Sequence, residues 1–157
     1  MSTDDIKNLI VLSPRLATAG QPSEAQLRAL AGEGWQLVVN LGLMDKRYCL
    51  DDERGLVAAL GMDYRHIPVE FASPQLADLS AFFEVMDANA ERRVLVHCAA
   101  NYRVTCFVAL YGQVRHGWSA AQAAELIARI WQPDLVWLYF MQRALDEPAL
   151  RTAARAA

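Results

Sequence analysis

The stretch from Val94 to Arg103 constrains this chain more than any other. Val94-Leu95-Val96 is a short β-branched and apolar run that leads directly into His97-Cys98. Arg103 follows, and Val104 to Val114 is apolar nearly all round. That order predicts a buried strand, a tight loop and a buried helix. The loop then lies at a helix N-terminus, where unpaired backbone N–H groups and the positive end of the helix dipole converge. Such a place binds oxyanions and favours a thiolate over a thiol. A thiolate beside an Arg that grips a tetrahedral anion through two hydrogen bonds suits phosphoryl or sulfur transfer.

The rest of the chain is consistent with that centre. Its 157 residues, 54% of them apolar, suffice for one domain with a sheet covered on both faces. The domain is expected over 1–148, with an Ala/Arg-rich tail at 149–157 that frays. A net charge of −3 without a basic run argues against nucleic acid as a partner. No apolar segment reaches the roughly 18 residues of a membrane span, so no membrane partner is expected. Met1-Ser2-Thr3-Asp4-Asp5 is acidic and unlike a signal peptide, which points to the cytoplasm. Cys49, Cys98 and Cys106 show neither disulfide nor zinc spacing, which agrees with a reducing compartment. No metal or cofactor is expected.

Strand-like and helix-like segments alternate. Leu9 to Leu12 and Leu16 to Ala19 read as two short strands turned by Ser13-Pro14. Ser23 and Gln26 form a capping box for a helix that stops near Gly32 and Gly34. Further strands are predicted at Gln36 to Leu41, Tyr64 to Val69 and Arg93 to His97. Helices are predicted at Asp51 to Leu60, Leu76 to Ala88, Arg103 to His116, Ala120 to Trp131 and Asp134 to Leu145. The fold class is α/β, a mostly parallel central sheet flanked by helices. Ligands of such sheets gather at the carboxyl ends of the strands, which here carry His97-Cys98, Glu70-Phe71 and Gly42 to Arg47.

Within the loop, Cys98 is the expected nucleophile, although an isolated Cys is more often a small buried hydrophobe. Arg103 would clamp the anion; a cation is a poor match for the first turn of a helix unless an anion is bound there. Ala99, Ala100, Asn101 and Tyr102 would complete the anion-binding set. His97 is grouped with them in the role of orienting the loop and thiolate, against the alternative of a satisfied core histidine. Asn101 stands where the turn needs positive φ, a conformation that Asn tolerates well. Cys106 belongs to the core. Lys46 and Arg47 read as solvated charges near the mouth, and Trp131, Trp137, Tyr139 and Phe140 as helical core packing.

These residues resemble the cysteine-dependent protein tyrosine phosphatase superfamily, and in particular a bacterial branch of small phosphatase-like proteins. The shared features are Thr18-Ala19-Gly20-Gln21-Pro22-Ser23, Val38-Val39-Asn40-Leu41, Tyr64 to Val69 and Val94 to Cys98, in that order. The resemblance implies hydrolysis of a phosphate monoester on a small molecule or phosphoprotein, through a phosphocysteine on Cys98. It also implies a general acid on the loop after Tyr64 to Val69. Glu70 is the best placed carboxylate and Asp78 the second.

Two features depart from the superfamily. Only four residues separate Cys98 from Arg103, one fewer than usual, which is similar to rhodanese-like sulfurtransferases. Val104 replaces the usual Ser or Thr after the Arg. Thr105 is one residue along and points about 100° away. A sulfurtransferase, or a module that binds phosphate or a phosphoprotein without catalysis, therefore stays open beside the hydrolase.

Overall fold

The computed structural model describes residues 2–152. A 3-10 turn at Thr3–Asp5 precedes β1 (Ile10–Ser13) and β2 (Leu16–Ala19). Then follow α1 (Glu24–Gly32), β3 (Leu37–Asn40), α2 (Glu53–Ala59), β4 (Asp63–His66), α3 (Leu76–Ala88) and β5 (Val94–His97). The chain ends with α4 (Tyr102–Arg115), α5 (Ala120–Ala128), α6 (Leu135–Leu145) and α7 (Pro148–Thr152). The five strands form one sheet in the order β1-β2-β5-β3-β4. Only the β1–β2 pair is antiparallel. The expected α/β class is the observed one.

Alternation along the central strands divides the core in two. Val94 and Val96 of β5, with Leu37 and Val39 of β3, face α3, α4, α5 and α6. Leu95 and Val38 face the other way, onto Leu27 and Leu30 of α1 and Val57 of α2. Both strands are buried along their whole length, as a sheet covered on two faces requires. Helix α4 is enclosed by other elements, and its residues from Arg103 to Gly112 are all buried. This is why its sequence is apolar all round rather than striped.

The predicted capping box at Ser23 forms, and a second one forms at Ser119. Ser23 accepts from the Gln26 N–H while its own N–H reaches Gln26 Oε1, and Ser119 does the same with Gln122. The tail departs from expectation. Residues 148–152 are helical as α7, and Leu150 is 3% exposed, packed into the α4-side core. Arg115 Nη1 donates to the Leu150 carbonyl. One apolar residue in an Ala/Arg-rich stretch is enough to anchor a turn that composition suggested would fray. Residues 153–157 lie outside the described residues.

Phe107 is fully buried on α4, with its ring centroid 5.7 Å from Phe82, 6.0 Å from Trp137 and 5.8 Å from Phe140. Phe107→Ala is expected to lower unfolding stability by about 3–5 kcal/mol, read from the urea midpoint at unchanged slope.

Candidate active site

The four parallel strands finish in register. Ala19 and Asn40 both pair with His97, and Asn40 pairs with His66. Their carboxyl ends thus form one rim, from which four loops leave beside one another. The loop after β5 is as short as the one after β2, and its last residue, Asn101, has φ 70° and ψ 8°. That left-handed corner turns the chain into α4, as the choice of Asn predicted. The Asn101 side chain is buried, and Nδ2 donates to the Asn8 carbonyl at 2.8 Å and to Thr18 Oγ1 at 3.0 Å.

The loop carbonyls point outward and each is held. The Cys98 carbonyl lies 3.2 Å from His97 Nδ1. The Ala99 carbonyl accepts from the Gln21 N–H at 3.0 Å, and the Ala100 carbonyl from Asn8 Nδ2 at 2.9 Å. In a trans peptide the N–H points opposite to the C=O. The N–H groups of Ala99 and Ala100 therefore turn toward the inside of the loop, while the bridge between Gly20 and Ala100 turns that of Asn101 toward β2. Among the described residues, the N–H groups of Ala99, Ala100, Tyr102 and Arg103 donate to no protein acceptor.

Arg103 sits in the first turn of α4 and is 6% exposed. Its Nη1 donates to the Val69 carbonyl at 2.9 Å, and its Nε is buried without a partner. Its Cζ lies 5.9 Å from the centroid of Phe71. Among the described residues no carboxylate pairs with it. The guanidinium is thus braced against the loop after β4 that carries Val69, Glu70 and Phe71, with donors to spare. Cys98 is 1% exposed, at the base of the loop.

His97 is fully buried and does not reach the surface. Nε2 lies 2.6 Å from Glu53 Oε2. The ring lies beneath the loop, away from its open side. Burial alone would push the Glu53 carboxyl up; the bond to His97, with help from Gln21 and Tyr64, holds it below the usual glutamate range instead. Burial pushes the Cys106 thiol up, so Cys106 is an inert core group. Asp45, on the loop after β3, is held down at about 2 by the Arg47 guanidinium and backbone, with a contribution from Arg103. Arg47 is otherwise a solvated charge, as expected. Among the described residues no three His, Cys, Asp or Glu side chains are grouped to hold a metal.

Residues 2–132 match a family described as the DSP-PTPase phosphatase fused to NAD+ kinase. The chain belongs to that DSP-PTPase family. The candidate phosphatase (DUF442) of Shewanella putrefaciens is 33% identical, with 91% of this chain covering 94% of that one at a TM-score of 0.81. The core catalytic domain of the PP-IP phosphatase SIW14 from S. cerevisiae is 13% identical at a TM-score of 0.78, over 96% of this chain and 93% of that one, a likeness of fold alone. A β-lactamase hydrolase-like protein of Agrobacterium fabrum is 33% identical over 111 residues, 66% of this chain and 26% of that protein. The chain thus spans about a quarter of the length of that relative.

In this DSP-PTPase domain the remaining site residues are distributed as follows. Val104 is fully buried, and the Thr105 hydroxyl is occupied elsewhere: it donates to the Tyr102 carbonyl at 2.9 Å and accepts from Trp131 Nε1 at 3.2 Å. Glu70 is exposed, and among the described residues its carboxylate has no hydrogen-bond partner. It follows Val69, whose carbonyl holds Arg103, so it stands beside the mouth. Asp78 is in the first turn of α3, where partial burial raises its carboxyl. Tyr102 begins α4 instead of ending the loop, and its ring stacks on Trp131 at 4.7 Å and 9°. Trp137 and Phe140 are core residues as expected, but Trp131 is half-buried beside the mouth and Tyr139 is 71% exposed.

Sequence reasoning missed Glu53 and Asn8, and it named Gly20 and Gln21 as part of a shared segment without giving them a role. Glu53 had one signal: it lies four residues before Val57, an acidic side chain on the buried stripe of α2. Gly20 is required by contact. A Cβ there would stand 2.7 Å from the Ala99 carbonyl oxygen and 3.1 Å from the Ala100 Cα, both backbone atoms. Gly20→Ala is expected to destabilise the fold by about 1–3 kcal/mol, since neither contact yields by side-chain rotation. Chemical denaturation measures the loss, and a change under about 0.5 kcal/mol would show that the loop is softer than its packing implies.

Proposed function

We propose that this chain is a phosphate monoester hydrolase that works through a phosphocysteine on Cys98. The observation that carries this reading is the Arg103 guanidinium, buried, unpaired with any described carboxylate and holding a free Nε. A buried charge without a partner is costly unless an anion completes it. The inward N–H groups of the loop supply the other donors that a three-oxygen head needs. Cys98 Sγ forms a bond to phosphorus as the ester oxygen leaves, and Glu70 gives that oxygen a proton. Water then breaks the S–P bond and releases phosphate. The substrate is a phosphorylated small molecule or phosphoprotein. The solved Pseudomonas aeruginosa TpbA complex with pTyr shows a protein of this fold holding such a group. We assign the activity to the cytoplasm; no described helix is long and apolar enough to cross a membrane.

A sulfurtransferase is the second reading, and a specific observation favours it. The phosphocysteine route needs a hydroxyl to help the thiolate leave, yet Val104 has none and Thr105 has committed its own. A persulfide on Cys98 needs no such help, and its sulfonate-bearing donor presents the same three-oxygen head to the loop.

Aryl phosphates with good leaving groups should be hydrolysed slowly, and both Cys98→Ser and Arg103→Ala should abolish turnover. Arg103→Lys should not restore it, because an ammonium lacks the planar fork. Activity in Cys98→Ser would disprove the nucleophile. Thiocyanate formed from thiosulfate and cyanide faster than any ester is cleaved would replace the hydrolase by the sulfurtransferase. Phosphate binding without either reaction would leave a binding module.

Glu70→Gln should slow phenyl phosphate by about 10²–10⁴-fold and leave esters of very acidic phenols nearly unchanged. An equal effect on both would assign Glu70 to binding, and no effect would transfer the role to Asp78.

A further inference from the structure

The buried Glu53–His97 pair takes no part in the reaction steps above, yet it is joined to the loop at two points. Glu53 Oε2 lies 2.6 Å from His97 Nε2, and Glu53 Oε1 accepts from Gln21 Nε2 at 2.6 Å. His97 Nδ1 faces the Cys98 carbonyl, and the Gln21 N–H holds the Ala99 carbonyl. One carboxylate therefore governs the first two peptide units of the loop. Those units carry the N–H groups of Ala99 and Ala100, which face inward and have no described protein acceptor.

Both nitrogens of the His97 ring face acceptors, a carboxylate on one side and a carbonyl on the other. The ring is thereby held between Glu53 and the loop backbone, one residue from the thiol. The surroundings are consistent with this arrangement. The Tyr64 hydroxyl interacts with Glu53 and accepts from Asn40 Nδ2, and Arg54 lies over the Tyr64 ring at 5.0 Å. Asn40 in turn accepts from the Gly42 N–H at 2.7 Å at the start of the neighbouring rim loop.

We propose that Glu53 is a positioning residue of the anion loop: through Gln21 and His97 it sets the first two peptide units with their N–H groups toward a bound oxyanion. The proposal rests on the anion-binding part of the functional reading and not on hydrolysis.

The test uses the full chain, wild type and Glu53→Gln, with inorganic phosphate as the probe. Phosphate should bind Glu53→Gln about tenfold more weakly, the scale of one lost charge-assisted hydrogen bond. Amide nitrogen-15 spectra should show the phosphate-induced shifts of Ala99 and Ala100 reduced in Glu53→Gln, and Glu53→Asp should recover part of the affinity and of those shifts. If Glu53→Gln does not fold, Gln21→Ala removes one arm alone, and phosphate binding should weaken with it. Phosphate affinities in Glu53→Gln or Gln21→Ala within twofold of wild type would overturn the proposal. Wild type that binds no phosphate would remove the anion reading itself, whereas wild type that binds phosphate but cleaves no ester would remove only the hydrolase.

Discussion

The structure around the site depends on three outward carbonyls. Cys98, Ala99 and Ala100 would turn their C=O groups freely in an isolated loop. Here His97, Gln21 and Asn8 each hold one, and peptide planarity does the rest by turning the N–H groups of Ala99 and Ala100 inward. The three pins come from three different segments. The N-terminal stretch supplies Asn8, the rim loop after β2 supplies Gln21, and β5 itself supplies His97. A donor cluster of this kind is preorganised: its orientation is set by the fold, so little reorganisation is needed when an anion arrives.

The fold exists in a form that makes this possible because four parallel strands end level with one another. Ala19, Asn40, His66 and His97 share one register, so the loops that follow them meet at one edge. Two-sided burial of β3 and β5 holds that register, since a slip of one residue would exchange the two core faces. Arg103 is then braced from the β4 side by the Val69 carbonyl and the Phe71 ring. The same brace brings Glu70 beside the mouth, and the stacked Tyr102 and Trp131 form an aromatic wall next to it.

Two departures from the superfamily pattern have structural counterparts. The short Cys98-to-Arg103 ring is closed by Asn101 in the left-handed region, with its side chain tied to Asn8 and Thr18. That tie makes the N-terminal segment part of the site. Val104 is packed in the core and the Thr105 hydroxyl is turned to Trp131, so neither offers an oxygen to the thiolate. The loop has free donors while no hydroxyl is turned toward Cys98, which is why sulfur transfer is proposed beside phosphate ester hydrolysis.

The order of strands and helices, the capping box at Ser23 and the positive φ at Asn101 were all legible in the sequence. Each depends on residues close together in the chain, where propensity, hydrophobic period and turn chemistry act. The roles of Glu53, Gln21, Asn8 and Gly20 were not, because each acts through a contact with a distant segment: Glu53 meets His97 across 44 positions and Asn8 meets Ala100 across 92. The exposure of Tyr139 and the short helix around Leu150 belong to the same class, since a local pattern states that a side chain is apolar but not which surface is left to cover it. Sequence alone determined what chemistry the loop could hold. Tertiary structure decided which way its peptide units face, because the atoms that hold them come from elsewhere in the chain.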